Sequence, residues 1–112
     1  GVAGQVFDLM GEPEPGLFVK IFGVLDGHWM EIYTLSGAAM QVGPGGFEVT
    51  VADHLVTGEV ELYIQLFDIS GEPVSPELRL PTRAACDQNL TLVNLMRVDI
   101  TNEIFFPMLR DE

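Results

Sequence analysis

A dense turn signal between two β-prone stretches constrains the fold of this chain more than any other feature of its sequence. Residues 4–9 and 17–21 are rich in apolar side chains, and the passage from one to the other contains Asp8, Gly11, Pro13 and Gly16. An Asp side chain can accept hydrogen bonds from the amides that follow it, Gly can adopt positive φ, and Pro restricts φ to the values of a turn. The segment therefore predicts a strand, a structured turn and a second strand.

The same turn signal recurs later in the chain. Residues 65–76 echo residues 5–16, and the echo contains Asp68, Gly71 and Pro73. Repeat architectures are built from at least three short repeats, so we interpret the echo as one turn that is used at two hairpins. We expect Gly11 to adopt positive φ or to make a tight backbone contact. If Gly71 does the same, the echo in sequence is also an echo in structure.

Period-2 alternation continues along the chain, whereas helical periodicity is nearly absent. It predicts seven strands, which cover residues 4–9, 17–24, 28–35, 47–52, 59–68, 77–80 and 89–98. A two-residue turn at Asp26-Gly27 should join the second strand to the third. The side chains that we expect to be nearly inaccessible to solvent are Val19, Ile21, Phe47, Val49, Leu62, Ile64 and Leu92. This pattern predicts an all-β fold, an antiparallel immunoglobulin-like β-sandwich, with a small barrel as the alternative.

The N-terminal motif resembles the start of carboxypeptidase-regulatory-like domains, which are small transthyretin-like β-sandwiches. The resemblance covers the first half of the chain, including the turn at Gly45-Gly46-Phe47, and its motif positions are Gly4, Val6, Asp8, Gly11, Pro13, Gly16, Val19 and Ile21. It implies an accessory or structural domain of a secreted or cell-surface protein. It implies no catalytic residues and no cofactor.

Length and charge bound the remaining possibilities. A chain of 112 residues is expected to form one domain, residues 1–112. The net charge of −12 excludes a surface that tracks nucleic-acid phosphates and disfavours anionic membrane surfaces. No apolar run is long enough to predict membrane insertion. Because the sequence starts at Gly1 rather than at Met, we expect an excised domain or a processed form.

Residues that could bind metal are few and scattered. Zinc sites need three or four converging ligands, and neither His28 nor His54 has such neighbours in sequence, so no metal cofactor is expected. Calcium binds carboxylate and carbonyl oxygens in loops, and the two turn loops contain Asp8, Glu12, Asp68 and Glu72. Without an alternating run of Asp residues, calcium binding by these loops stays an open alternative.

Cys86 is the only cysteine, so the chain has no internal disulfide. We interpret it as a small buried hydrophobic residue, since unpaired cysteines are among the most buried residue types. A free thiol or an intermolecular link is the alternative for a secreted protein.

Three aromatic residues are the candidates for a binding surface. Trp29 and Tyr33 share one face of the third predicted strand, and Tyr63 could lie on the same face of the sheet. We expect the core to contain Trp29 and Tyr33, as it does most large aromatic side chains. If they are exposed instead, they form a platform on which sugar rings can stack. Exposure of Trp29 therefore distinguishes a structural module from a glycan- or protein-binding module.

The C-terminal tail, residues 103–112, is unusually apolar between residues 104 and 109. Because Pro107 is compatible only with the edge of a sheet, we expect this segment to dock as an edge strand on its own domain. A neighbouring domain or a second copy, giving a homodimer, is the alternative.

Together with the family resemblance, the sequence predicts a non-catalytic accessory module that spaces or presents neighbouring domains.

Overall fold

The computed structural model describes residues 1–51, 58–81 and 90–98. These residues form an all-β sandwich of two sheets and contain no helix long and apolar enough to cross a membrane. The strands are β1 Val2–Phe7, β2 Phe18–Leu25, β3 His28–Leu35, β4 Gly46–Val49, β5 Val60–Phe67, β6 Leu78–Arg79, β7 Thr91–Leu92 and β8 Leu95–Met96. The predicted fold class is confirmed. Cys86, His54 and the tail 103–112 with its apolar segment 104–109 lie outside the described residues.

The first sheet is organised around β1, and the second around the two long strands β2 and β5. In the first sheet β1 pairs with β4 on one side and with β7 and β8 on the other. The second sheet has the order β3-β2-β5-β6, and all of its pairs are antiparallel. The sheets are mainly antiparallel, as predicted, and the exception is one edge, where β7 and β8 run parallel to β1.

The last predicted strand, 89–98, is divided into β7 and β8 by a change of hydrogen-bonding partner. The amide of Val93 donates to the carbonyl of Ala3 at 2.8 Å, whereas the amide of Gln5 donates to the Asn94 side chain at 3.0 Å. A Cβ at Gly4 would overlap the carbonyl of Val93. Glycine at position 4 therefore lets this irregular edge approach β1 closely.

The core lies between the two sheets and contains residues from both. Six of the predicted core residues are buried: Val19, Ile21, Phe47, Val49, Leu62 and Ile64. The prediction for Leu92 is wrong, since its side chain is 73% exposed. Thr91 and Leu95 are buried instead, and Val93 packs against the core. Because side chains alternate between the faces of a strand, these three inward positions turn Leu92 outward.

The two echoed turns have the same structure. In each, the Asp Oδ1 accepts hydrogen bonds from the amides two and four residues later, at 2.9 to 3.0 Å. Gly11 has φ of 84° and Gly71 has φ of 92°, so the expectation of positive φ is confirmed at both. Pro13 and Pro73 bridge to Phe7 and Phe67 at the strand ends. Gly16 also has positive φ, 87°, where the chain enters β2. The echo is therefore structural and not merely compositional.

The hairpin that joins β2 to β3 is the one expected at Asp26-Gly27. Both residues have positive φ, 55° for Asp26 and 78° for Gly27, as the twist of a two-residue hairpin loop favours. This tight turn fixes the register of the two strands from Leu25 opposite His28 to Phe18 opposite Leu35. That register positions the side chains of the surface described next.

Candidate functional site: an aromatic sheet face

The outer surface of the second sheet is rich in aromatic side chains on three neighbouring strands. Since side chains alternate along a strand, the residues of β2, β3 and β5 that do not face the core point outward. The register places Lys20 between Tyr33 and Gln65, and Phe22 between Glu31 and Tyr63. We call this surface the aromatic face and define it by Phe18, Lys20, Phe22, Trp29, Glu31, Tyr33, Glu61, Tyr63 and Phe67.

Two of the predicted binding residues are strongly exposed on this face. Trp29 is 63% exposed and Tyr33 is 55% exposed, so the expectation that they belong to the core is wrong. Both lie on β3, an edge strand of the sheet, where Met30 and Ile32 pack against the core instead. Alternation then directs Trp29 and Tyr33 to solvent. Exposed apolar side chains that cluster in one patch, unlike single ones, are typical of interaction surfaces.

A row of aromatic rings crosses the sheet from β3 to β5. Phe22 lies in the middle, with its ring centroid 6.1 Å from that of Trp29 and 5.7 Å from that of Tyr63. The rings of Phe22 and Tyr63 are nearly parallel, with 27° between their planes. Phe22 itself is only 6% exposed, because its two neighbours cover it. The structure thus brings the third candidate, Tyr63, into the same row as Trp29.

Two carboxylates hold the polar tips of the aromatic side chains. Glu31 accepts a hydrogen bond from Trp29 Nε1 at 3.3 Å and from the Tyr33 hydroxyl at 3.5 Å. Glu61 accepts one from the Tyr63 hydroxyl at 2.6 Å. This hydrogen bond to Glu61, together with burial, raises the pKa of Tyr63 above its usual value. Through these hydrogen bonds the carboxylates orient the rings.

Lys20 is the only lysine in the chain and lies among the rings. Its Nζ is 4.6 Å from the ring centroid of Phe22, 5.8 Å from that of Phe67 and 5.9 Å from that of Tyr33. These are distances at which a cation is attracted to the face of an aromatic ring. An open cavity of about 320 Å³ is lined in part by Lys20, and we call it the Lys20 cavity. Its lining residues are Phe18, Lys20, Tyr33, Phe67 and Gly71.

Sequence reasoning found the exposed aromatic residues but missed the side chains that organise them. Phe22 and Lys20 share one face of β2, and the expected outward direction of Lys20 could have placed Phe22 beside it. Phe18 and Phe67 lie at the strand ends, where no pattern marks them as part of a site. Their association with Lys20 depends on the pairing of β2 with β5.

The candidate calcium ligands serve the turns in which they lie. The Oδ1 atoms of Asp8 and Asp68 each accept two amide hydrogen bonds within their own loops. His28 is at the hairpin, with Nδ1 3.0 Å from the carbonyl oxygen of Asp26. In the part of the chain that the structure describes, no three His, Cys, Asp or Glu residues are grouped as metal ligands. Within the described residues, the aromatic face is therefore the candidate functional site.

Comparison with known proteins gives a likeness of fold. No protein-family model and no curated protein matches the sequence. Among solved structures, the chain is similar to the dioxygenase domain of a dioxygenase–carbohydrate-binding protein fusion from the cellulolytic bacterium Streptomyces sp. SirexAA-E. The two are 13% identical with a TM-score of 0.52, over 88% of this chain and 79% of that one. At this identity the likeness shows a shared β-sandwich architecture and does not extend to activity.

Proposed function

We propose that this chain is a non-catalytic module that binds carbohydrate through its aromatic face. The observation that carries the proposal is the exposure of Trp29 and Tyr33 on one sheet, with Glu31 hydrogen-bonded to both. Exposure of Trp29 is the property that separates a binding module from a purely structural one. It favours the binding role.

The chemistry of the face suits a sugar polymer. A pyranose ring has an apolar face of C–H groups that can pack on an aromatic ring, and its hydroxyl groups need polar partners at the rim. The rings of Trp29 and Tyr63, which lie on either side of the buried Phe22, offer the apolar surface, and the carboxylates of Glu31 and Glu61 offer the polar partners. Because those carboxylates already restrain the rings, binding costs less side-chain entropy than it would with freely rotating rings.

We further propose that the module is an accessory domain of a secreted or cell-surface protein. The resemblance of its N-terminal turn to carboxypeptidase-regulatory-like domains supports this context, as does an all-β sandwich architecture. In such a protein the module would keep a neighbouring domain close to the polysaccharide that it binds. A weak individual site is useful there, because tethering raises the effective concentration of the neighbour.

Intrinsic fluorescence tests the proposal directly, since Trp29 is the only tryptophan. Soluble polysaccharides should change its emission on titration, and the same ligands should retard the protein in affinity gels. Trp29→Ala and Tyr33→Ala should each weaken binding in the gels by about tenfold, as expected for loss of a central aromatic anchor. Leu92→Ala is the matched control, because Leu92 is equally exposed but lies on the other sheet.

Two outcomes would reject the carbohydrate proposal. One is that no polysaccharide in a broad panel retards the protein. The other is that Trp29→Ala and Leu92→Ala retain the same affinity as the unmodified chain. If a protein partner is captured instead and Trp29→Ala abolishes that capture, the aromatic face is a protein-binding surface.

A further inference from the structure

The Lys20 cavity differs from the rest of the aromatic face in its charge. Three of its five lining residues are aromatic, and Lys20 is the one lining residue with a charged side chain. We propose that this cavity receives a uronic acid residue, with the carboxylate of the sugar at Lys20 Nζ. The inference rests on the proposed function and names the class of saccharide that the face prefers.

The first argument is that the ammonium lacks an anionic partner on its own face. Glu31 is engaged by Trp29 and Tyr33, and Glu61 by Tyr63. Within the described residues, an ion pair joins Arg97 to Glu14, and none involves Lys20. The only lysine of the chain thus contacts aromatic rings and forms no ion pair with a carboxylate of the described residues.

The second argument is that the ammonium is already positioned. Three rings lie within 6 Å of Nζ by their centroids, and each attracts the cation. A lysine side chain otherwise loses considerable rotamer freedom when it is fixed by a ligand. Because the rings restrain it beforehand, a carboxylate meets a cation whose ordering cost has been reduced.

The third argument concerns the size and polarity of the cavity. Its volume of about 320 Å³ is at the low end of ligand pockets, so it suits a small group such as one sugar residue. Aromatic walls can pack against the C–H groups of the sugar ring. One cation at the edge supplies the polar contact that fixes the orientation of the ring.

Net charge restricts the ligand further. At −12 the protein repels a polymer that carries a carboxylate on every residue. Because such repulsion decays over about 8 Å at physiological ionic strength, a single carboxylate at Lys20 is repelled less than a chain of carboxylates along the surface. The preferred ligand is therefore a mainly neutral polysaccharide with occasional uronic acid branches.

A matched pair of polymers tests the inference. Glucuronoxylan has a neutral backbone with uronic acid branches, and carboxyl reduction converts the branches to neutral sugars without changing the backbone. We expect the unreduced polymer to bind about fivefold more tightly, as for a partly exposed ion pair, and the preference to diminish in high salt. Lys20→Met should bring the ratio of the two affinities to one, whereas Lys20→Arg should preserve the preference. Leu92→Ala is the control that keeps the ratio of the unmodified chain.

The outcomes separate this inference from the proposed function. Equal binding of both polymers by the unmodified chain, or a preference that survives in Lys20→Met, overturns the inference and leaves carbohydrate binding intact. Tighter binding of fully charged polygalacturonate than of glucuronoxylan overturns it as well. If neither these polymers nor a wider panel binds, the proposed function fails and the inference fails with it. Thermal melts of each variant show whether a lost preference reflects lost folding.

Discussion

Substitutions of Gly11, in the turn that begins at Asp8, should lower the free energy of unfolding by an amount set by how poorly the new residue adopts positive φ. Gly11 has φ of 84°, and a Cβ there would meet no atom within 4 Å. The cost of Gly11→Ala is therefore backbone strain alone, about 1–2 kcal/mol for an L-residue in the left-handed region. The substitution also restricts the unfolded chain, which offsets about 0.4–1 kcal/mol. We expect a net loss of about 1 kcal/mol of the free energy of unfolding.

A series of substitutions separates strain from packing. Asn tolerates the left-handed region better than Ala, and the β-branched Val tolerates it least, so stability should decrease in the order Asn, Ala, Val. For Gly11→Val the expected loss is about 1–3 kcal/mol. Urea midpoints at constant m-value measure each difference. The same series at Gly71, which has φ of 92° and equally open surroundings, should give the same order and sizes.

Unchanged urea midpoints for Gly11→Ala and Gly11→Val would refute the reasoning, because they would mean that the turn relaxes without cost. An Asn variant as unstable as the Val variant would refute it differently, since backbone strain would then not set the order. A large loss at Gly11 with none at Gly71 would show that the echoed turns are not energetically equivalent.

Two further predictions concern acid and close packing. The hydroxyl of Ser70 and the amide of Glu72 donate to the Asp68 carboxylate and lower its pKa in the folded state. The charged carboxylate therefore stabilises the fold fully above its unfolded-state pKa, about 3.9, and this stabilisation is lost as the pH falls through the folded-state pKa. Urea midpoints should therefore decrease less on acidification for Asp68→Asn than for the unmodified chain, and identical pH profiles would contradict this assignment. Gly23→Ala should be more damaging than Gly11→Ala, because Gly23 has φ of 138° and a Cβ would also overlap the Glu61 carbonyl of β5. Equal urea midpoints for these two alanine variants would show that β2 and β5 can separate at low cost.

The features that sequence predicted well are those whose causes are local. The turns at Asp8 and Asp68 are closed by hydrogen bonds that span at most four residues. The Asp26-Gly27 hairpin needs only two residues that accept positive φ. Alternation in β5 likewise identified Leu62 and Ile64 as buried, because one face of that strand is apolar and the other is not.

Tertiary structure decided the features that alternation leaves ambiguous. In β3 both faces contain large apolar or aromatic residues, so the pattern defines two faces but not which one meets the core. The packing of Met30 and Ile32 against the core turned Trp29 and Tyr33 to solvent. The parallel edge of β7 and β8 depends on β1, which lies almost the whole chain length away in sequence.

The candidate site shows the same division. By itself the sequence determined the strands, the turns between them and the alternation that sets neighbouring side chains on opposite faces. Only the pairing of β2 with β3 and β5 placed Lys20 among the rings of Phe22, Tyr33 and Phe67. The physical reason is that cross-strand neighbours are chosen by register, and register is set by the burial of one whole face of a sheet rather than by the residues beside any one position.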